Sequence, residues 1–312
     1  MNDKMNFYLP EFFYNYDMNM AFAQLLQSNP ELFYEDVKIA GVYGCFPTSI
    51  WNGGRVMVGN CSKENMKNTI KAFNDMGVGI RYTFTNCLLK NGDLNDRFCN
   101  LEMELLYDAA EKAGDKIIDN EVIVNSEMLA DYIGSIYPGI PLISSTTKRL
   151  TDDQEVKDEV NNYRYRLVVL DYNYNNEDKL FEGWFAENSD KFEILLNAYC
   201  QDNCPARSRH YRQLSFQQLN FNEDTPDFQG CCHIGDDFYT VMETRKRFVT
   251  VEDLHYGKYR AAGYRNFKIE GRTNDKYDVL ESYIYYMIRP EYRDKVRLKA
   301  LKAIFERRPQ NG

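Results

Sequence analysis

The sequence predicts an α/β fold, a (β/α)8 barrel of the TIM type, as a single domain over residues 1–312. Three observations predict it. Short apolar and β-branched runs alternate with helical patterns along the chain, the signature of parallel strands joined by right-handed crossovers. Eight such runs can be counted before residue 290. No low-complexity stretch or linker splits the 312 residues, and a hydrophobic content of 44% is enough for one large core. A doubly wound open sheet is the alternative that the same alternation allows.

Taken in order, the first strand is the run at 7–10, followed by a helical pattern over 18–27. The second strand is 37–43, rich in β-branched residues and bounded by Gly44. Ser62 is placed to cap a helix running to 76, and Gly77 is a natural stop. Strand 79–85 and helix 101–113 repeat the unit, and strand 121–125 leads into a helix capped by Ser126 and ending near 136. Strand 141–145 is followed by a charged helix over 152–160, and strand 166–171 by a helix over 177–189. The seventh strand is 192–199 and the eighth 266–270, with a helix over 276–288 after it. The seventh and eighth strands stand too far apart for one helix, so an insertion at about 205–250 is expected. A basic helix over about 290–308 forms a C-terminal extension.

The bulk numbers exclude several classes. A net charge of −9 argues against coating nucleic acid through bulk charge, although a local basic site is compatible with it. No apolar run has the length of a membrane span, and residues 1–10 have no basic region leading into an apolar signal core. A cytoplasmic protein is expected, with eight cysteines reduced or metal-bound rather than in disulfides. The 24 tyrosines read first as a packing bias, and second as a stacking surface for sugars or bases.

In a barrel the residues at the C-terminal ends of strands face the active site. That rule selects Cys45, Asn86, Cys87, Asn125, Glu127, Ser145, Thr146, Asp171, Asn173, Asn197, Cys200, Cys204, Glu270 and Arg272. The cysteines converge in this picture. Cys200 and Cys204 follow the seventh strand, Cys231 and Cys232 fall in the insertion, and Cys45 stands at the rim of the second strand. Four thiolates suit an iron–sulfur cluster or tetrahedral zinc; ordinary reduced thiols without a metal are the plain alternative. Successive side chains diverge, so one of Cys231 and Cys232 is expected to ligate, with Cys45 as the fourth ligand. Cys61 and Cys99 read as structural.

His233 adjoins the cysteine pair and could tune or ligate a metal, while His255 falls in a helical pattern and reads as structural. The segment Arg207-Ser-Arg-His210-Tyr-Arg212 could bind phosphate or a nucleic-acid backbone; the alternatives are a solvated loop or arginines paired with the acidic excess. Glu127, Asp171, Glu193 and Glu270 allow a lesser idea, paired carboxylates for glycoside hydrolysis.

The segment Lys268-Ile-Glu-Gly-Arg272, preceded by Val251-Glu-Asp-Leu254, resembles the C-terminal motif of peptidase family U-32, the collagenase-like family. Gly53-Gly-Arg55, Asn60-Cys-Ser-Lys-Glu64, a third strand ending at Asn86 and Pro141-Leu-Ile-Ser-Ser-Thr146 resemble further family segments in the same order, over residues 37–290. Thr147 stands where the family has Gln, and the loop Asn197-Ala-Tyr-Cys-Gln-Asp-Asn-Cys-Pro205 departs from the family's usual cysteine loop. The resemblance implies a barrel core and a 4Fe–4S cluster on Cys200, Cys204, one of Cys231 and Cys232, and Cys45. It implies redox modification of the hydroxylation type, on an RNA base or small cyclic substrate. Arg55 and Arg272 would hold an anionic group and Glu270 would orient Arg272 or Lys268, with Asn86, Asn125, Arg207, His210 and Lys268 binding substrate. A peptidase of the same family is the alternative enzyme, although the chain has neither a Ser-His-Asp order nor His-Glu-x-x-His. The non-enzymatic alternative is an accessory barrel, with a protein partner and a structural metal site.

Overall fold

The computed structural model describes residues 4–112, 119–221, 236–271 and 275–306. Eight strands close into a barrel in sequence order, every neighbouring pair parallel. They are β1 (Met5–Pro10), β2 (Val37–Gly44), β3 (Gly79–Phe84), β4 (Glu121–Val124), β5 (Leu142–Ser144), β6 (Tyr165–Val169), β7 (Phe192–Leu195) and β8 (Asn266–Lys268). The (β/α)8 reading of the sequence is therefore the observed architecture. The seam between β1 and β8 pairs Asn6 with Asn266 and Tyr8 with Lys268. Asn6 Nδ2 donates to Asn266 Oδ1 across it at 3.1 Å.

The helices are α1 (Tyr16–Ser28), α2 (Lys63–Asp75), α3 (Arg97–Lys112), α4 (Glu127–Ile136), α5 (Asp153–Asn161) and α6 (Gly183–Glu187). Between β7 and β8 come α7 (Arg207–Leu219), α8 (Phe238–Thr244), α9 (Val251–His255) and α10 (Lys258–Ala261). The chain continues with α11 (Lys276–Met287) and α12 (Arg293–Glu306). Ser62 and Ser126 cap α2 and α4, their hydroxyls accepting from Asn65 N at 3.2 Å and Leu129 N at 3.3 Å. The basic C-terminal segment docks through Arg297, which grips Glu281 of α11 with Nε and Nη2 at 2.7 and 2.8 Å.

Two expectations need correction. The helix expected over 177–189 is broken into a 3-10 turn (Asp178–Phe181), the five-residue α6 and a second 3-10 turn (Ser189–Lys191). Gly183 has φ +54°, a left-handed conformation that interrupts a regular helix. The segment 207–212 is not a loop but the start of α7.

Outward-facing strand residues such as Phe7, Val42, Ile80, Tyr82, Val124, Ile194 and Phe267 join the helices in one large apolar cluster. The inward set is smaller: Tyr8, Ala40, Tyr43, Ile123, Ile143, Leu167 and Val169. Nearer the N-terminal ends of the strands, the interior is ionic. Arg81, fully buried, donates from Nε to Glu121 Oε2 at 2.5 Å and from Nη1 to Glu193 Oε2. Its guanidinium lies 3.1 Å from the Tyr8 ring centroid. Arg166 donates to the other Glu121 oxygen at 2.5 Å. Charges taken far from water persist only when paired, and the buried Arg81, Glu121 and Glu193 are paired with one another, with the part-exposed Arg166 adding to Glu121. Burial pushes the Tyr8 phenol up to about 12, against the opposing pull of the Arg81 charge.

Candidate functional site

The strand ends open on a cleft of about 580 Å3, mouth included. Its charged residues are Glu11, Arg55, Lys268 and Glu270. Hydroxyl groups from β3 and the β5 end line another part: Thr83, Thr85, Ser145, Thr146 and Thr147. A barrel delivers such a set because alternate residues on each strand point inward, and the last inward residue reaches the mouth.

Arg55 is carried by the loop after β2 and held at two points. Its Nε pairs with Glu11 Oε1 at 3.1 Å, and its Nη2 donates to the carbonyl of Gly271. Glu11, the residue after β1, has φ +58°, an unusual backbone state for a non-glycine residue. Arg55 thus links the ends of β1 and β8 while its Nη1 makes no hydrogen bond to any described residue. Lys268, on β8, places its ammonium 3.9 Å from the Tyr43 ring centroid. Tyr43 OH donates to Ile269 O at 2.6 Å. Glu270 accepts from Tyr199 N at 2.8 Å, and Asn197 brackets its backbone, accepting from Glu270 N at 2.7 Å and donating to Glu270 O at 3.2 Å. The β7 loop is thereby fastened to the end of β8.

Helix α7 spans between two parts of the mouth. At its first residue, buried Arg207 donates from Nη1 to Asp171 Oδ2 at 2.6 Å and from Nη2 to Thr146 Oγ1 at 3.2 Å. Near its end, Gln218 Oε1 accepts from Met57 N at 2.7 Å while Nε2 donates to Ser49 O at 3.0 Å. Asn86 Nδ2 donates to Ser215 O at 3.1 Å, and Cys87 N donates to Ser215 Oγ at 3.2 Å. The 13 residues of α7 extend about 20 Å. The helix therefore ties the β5 and β6 ends to the loop carrying Arg55.

The sequence-selected residues divide accordingly. Arg55, Lys268 and Glu270 come together in the cleft. Arg207 and Asn86 anchor α7, with Arg207 bound to Asp171 and the Asn86 amide also donating to Ile50 O at 2.9 Å. Asn125 donates to Thr147 Oγ1 at 2.9 Å, behind the hydroxyl wall. His210 is on α7. His255 bridges Asp36 Oδ1 at 3.1 Å and Tyr286 O at 2.8 Å, a structural position. Arg272, Cys231, Cys232 and His233 lie outside the described residues. Glu11, Thr83, Thr85 and Asn52 line the cleft without having been selected. Strand parity was the signal that could have found Thr85: Arg81 and Thr83 point inward, so the next inward residue is Thr85, not Asn86.

Cys200 and Cys204 are both buried on the loop leading to α7, Cys200 against Tyr172, Leu195 and Ala198. Cys45 belongs to the large outer cluster, its sulfur 3.3 Å from Thr83 Oγ1. Burial pushes its thiol well up, with the Glu102 carboxylate adding to the effect. Among the described residues no group of three His, Cys, Asp or Glu side chains is arranged to hold a metal. The described loop offers two thiols, Cys200 and Cys204, half of a four-thiolate set.

No family model matches the chain, and no curated protein matches it. Among solved structures, "The Structure of the U32 Peptidase Mk0906" aligns with a TM-score of 0.49. It is 11% identical, over 87% of this chain and 94% of that one. Among the described residues no helix is long and apolar enough to cross a membrane.

Proposed function

We propose that this protein is an enzyme that works at the barrel mouth on a small substrate bearing an oxyanion, with Arg55 as the anion's anchor. The observation that carries this reading is the mounting of Arg55. Glu11 and the Gly271 carbonyl fix its guanidinium and leave the Nη1 edge for a ligand, in a cleft that Lys268 also lines. A planar fork held in place loses little freedom on binding, which suits it to carboxylate or phosphate. Glu270, held by Tyr199 N, supplies a carboxylate at the same mouth for proton transfer.

The finer reading follows the sequence resemblance: hydroxylation-type redox modification of an RNA base or small cyclic substrate, in which Cys200 and Cys204 would help hold a 4Fe–4S cluster that moves electrons or polarises the substrate. Two facts support it. Arg55 and the Lys268–Gly271 segment, both picked out by that resemblance, meet in the cleft across 216 residues of chain. Cys200 and Cys204 lie on the loop bonded to Glu270 through Asn197 and Tyr199.

Isothermal titration with inorganic phosphate, a ribonucleoside 5′-monophosphate and benzoate tests the anion site. At least one should bind, and Arg55→Ala should abolish it; a parent protein that binds none of them at millimolar concentration refutes the reading. Iron and acid-labile sulfide, with absorbance near about 400 nm after anaerobic purification, are the expected signs of the cluster. Protein that contains neither iron nor sulfide removes the redox reading and leaves the anion site standing.

A further inference from the structure

We infer that Thr85 is a ligand-binding residue of this cleft, its hydroxyl donating to an oxygen of the oxyanion that Arg55 holds. The inference rests on the anion-site reading and adds to it a named, specificity-determining contact.

The hydroxyl groups of the wall are otherwise engaged. Tyr43 OH donates to Ile269 O at 2.6 Å, and Thr83 Oγ1 donates to Asn52 Oδ1 at 3.3 Å. Ser145 Oγ and Thr147 Oγ1 bond each other at 2.9 Å. Thr146 Oγ1 donates to Leu170 O at 3.3 Å and receives Arg207. Thr85 Oγ1 is different: the residue is 4% exposed, and its hydroxyl has no hydrogen-bond partner among the described residues. A buried hydroxyl left unbonded is destabilising, and native folds keep few of them.

The cover over this hydroxyl is the same loop that presents Arg55. Gly53 is pressed onto the end of β3 so closely that a Cβ there would lie 2.4 Å from Thr85 O and 2.5 Å from Asn86 N. Gly54 comes next, and a Cβ on it would stand 3.8 Å from Thr85 Oγ1, with no other described heavy atom outside residues 53–55 within 4 Å. The residue after that is Arg55. The hydroxyl therefore faces Gly54, the residue before Arg55, and Thr85, Gly54 and Arg55 line the same cleft. A donor hydroxyl beside a guanidinium complements the oxygens of either a tetrahedral phosphate or a planar carboxylate.

The experiment compares the parent protein with Thr85→Val, Thr85→Ser and Arg55→Ala, by titration with inorganic phosphate and separately with benzoate, and by thermal melting of each protein without ligand. Thr85→Val should weaken the probe that the parent binds by about tenfold or more, whereas Thr85→Ser stays within about threefold. The melting temperature of Thr85→Val should equal or exceed the parent's, because a methyl replaces an unbonded hydroxyl. The probe that responds names the ligand as phosphate or carboxylate. Binding by Thr85→Val as tight as the parent's overturns the inference, and so does a lower melting temperature, which would reveal a structural partner. If Arg55→Ala loses binding while Thr85→Val keeps it, the anion site stands and the Thr85 assignment alone falls. If the parent binds neither of these probes nor a ribonucleoside 5′-monophosphate, both fall.

Discussion

Arg207 and Asp171 pair where neither side chain meets solvent: Nη1 stands 2.6 Å from Oδ2, with the two side chains 1% and 0% exposed. The guanidinium also lies 4.1 Å from the Tyr172 ring centroid and donates to Tyr211 OH at 2.9 Å. Arg207→Met would strand the Asp171 carboxylate in this setting, at a cost of about 3–5 kcal/mol. Urea unfolding should show that loss, and adding Asp171→Asn to the same chain should recover most of it. An Arg207→Met protein as stable as the parent would mean the pair carries no weight.

The carboxyl of Glu102, on α3, titrates far from its ordinary range. Burial pushes it from 4.5 up to about 8, although Phe46 N donates to its Oε1 at 3.3 Å. The unfolded chain releases this proton near 4.5 and the folded one near 8. Between those values the folded state holds the extra proton, so stability is greatest below the window and falls as pH rises through it. Above the window the full penalty, a few kcal/mol at about 1.4 per unit, is in place. Glu102→Gln should flatten this slope. Denaturation midpoints of both proteins from pH 4.5 to 9 check it, and the variant should gain on the parent as pH rises.

Two adjacent glycines should respond oppositely to the same substitution. Gly53→Ala drives a methyl into the backbone of Thr85 and Asn86, which cannot yield as a side-chain tip would. The loop must lift, taking Arg55 with it, and anion binding should fall at least tenfold with little change in far-ultraviolet circular dichroism. Gly54→Ala meets only ordinary contact at 3.8 Å and should keep the melting temperature of the parent within about 2 °C.

Gln218 holds the loop from the other side. Gln218→Ala leaves the Met57 amide without its 2.7 Å acceptor and Ser49 O without its 3.0 Å donor. Loss of a buried partner costs about 1–3 kcal/mol. Hydrogen exchange at Met57 N should accelerate by about tenfold or more, while amides in β4 and β5 keep the parent's rates.

The barrel was legible because its strands follow one rule. They are apolar, short and separated by capped helices, and each of the eight was placed within a few residues of where it stands. Helix α7 was not legible as a helix. Its buried residues Arg207, Tyr211, Ser215 and Gln218 recur at helical spacing but are polar, and apolar periodicity is what betrays a helix in sequence. The break at Gly183 was missed because one glycine inside a helical pattern is often tolerated. The rule of strand ends did gather Glu270 with the motif-selected Arg55 and Lys268. It chose Asn86 over Thr85 because the rule marks where a strand stops, not which side its last residue faces.

The ionic layer inside the barrel has a consequence for how the chain could be divided. Arg81 finds Glu121 forty residues on but Glu193 only 112 residues on, and the Asn6–Asn266 seam closes across 260. A fragment ending after β4 would carry Arg81 with one of its two carboxylates and no wall to shield the pair. A fragment starting at β5 would bury Glu193 with no guanidinium opposite. Neither half is a self-sufficient module, so this barrel is expected to resist being split into two independently folding halves, even though eight similar units build it.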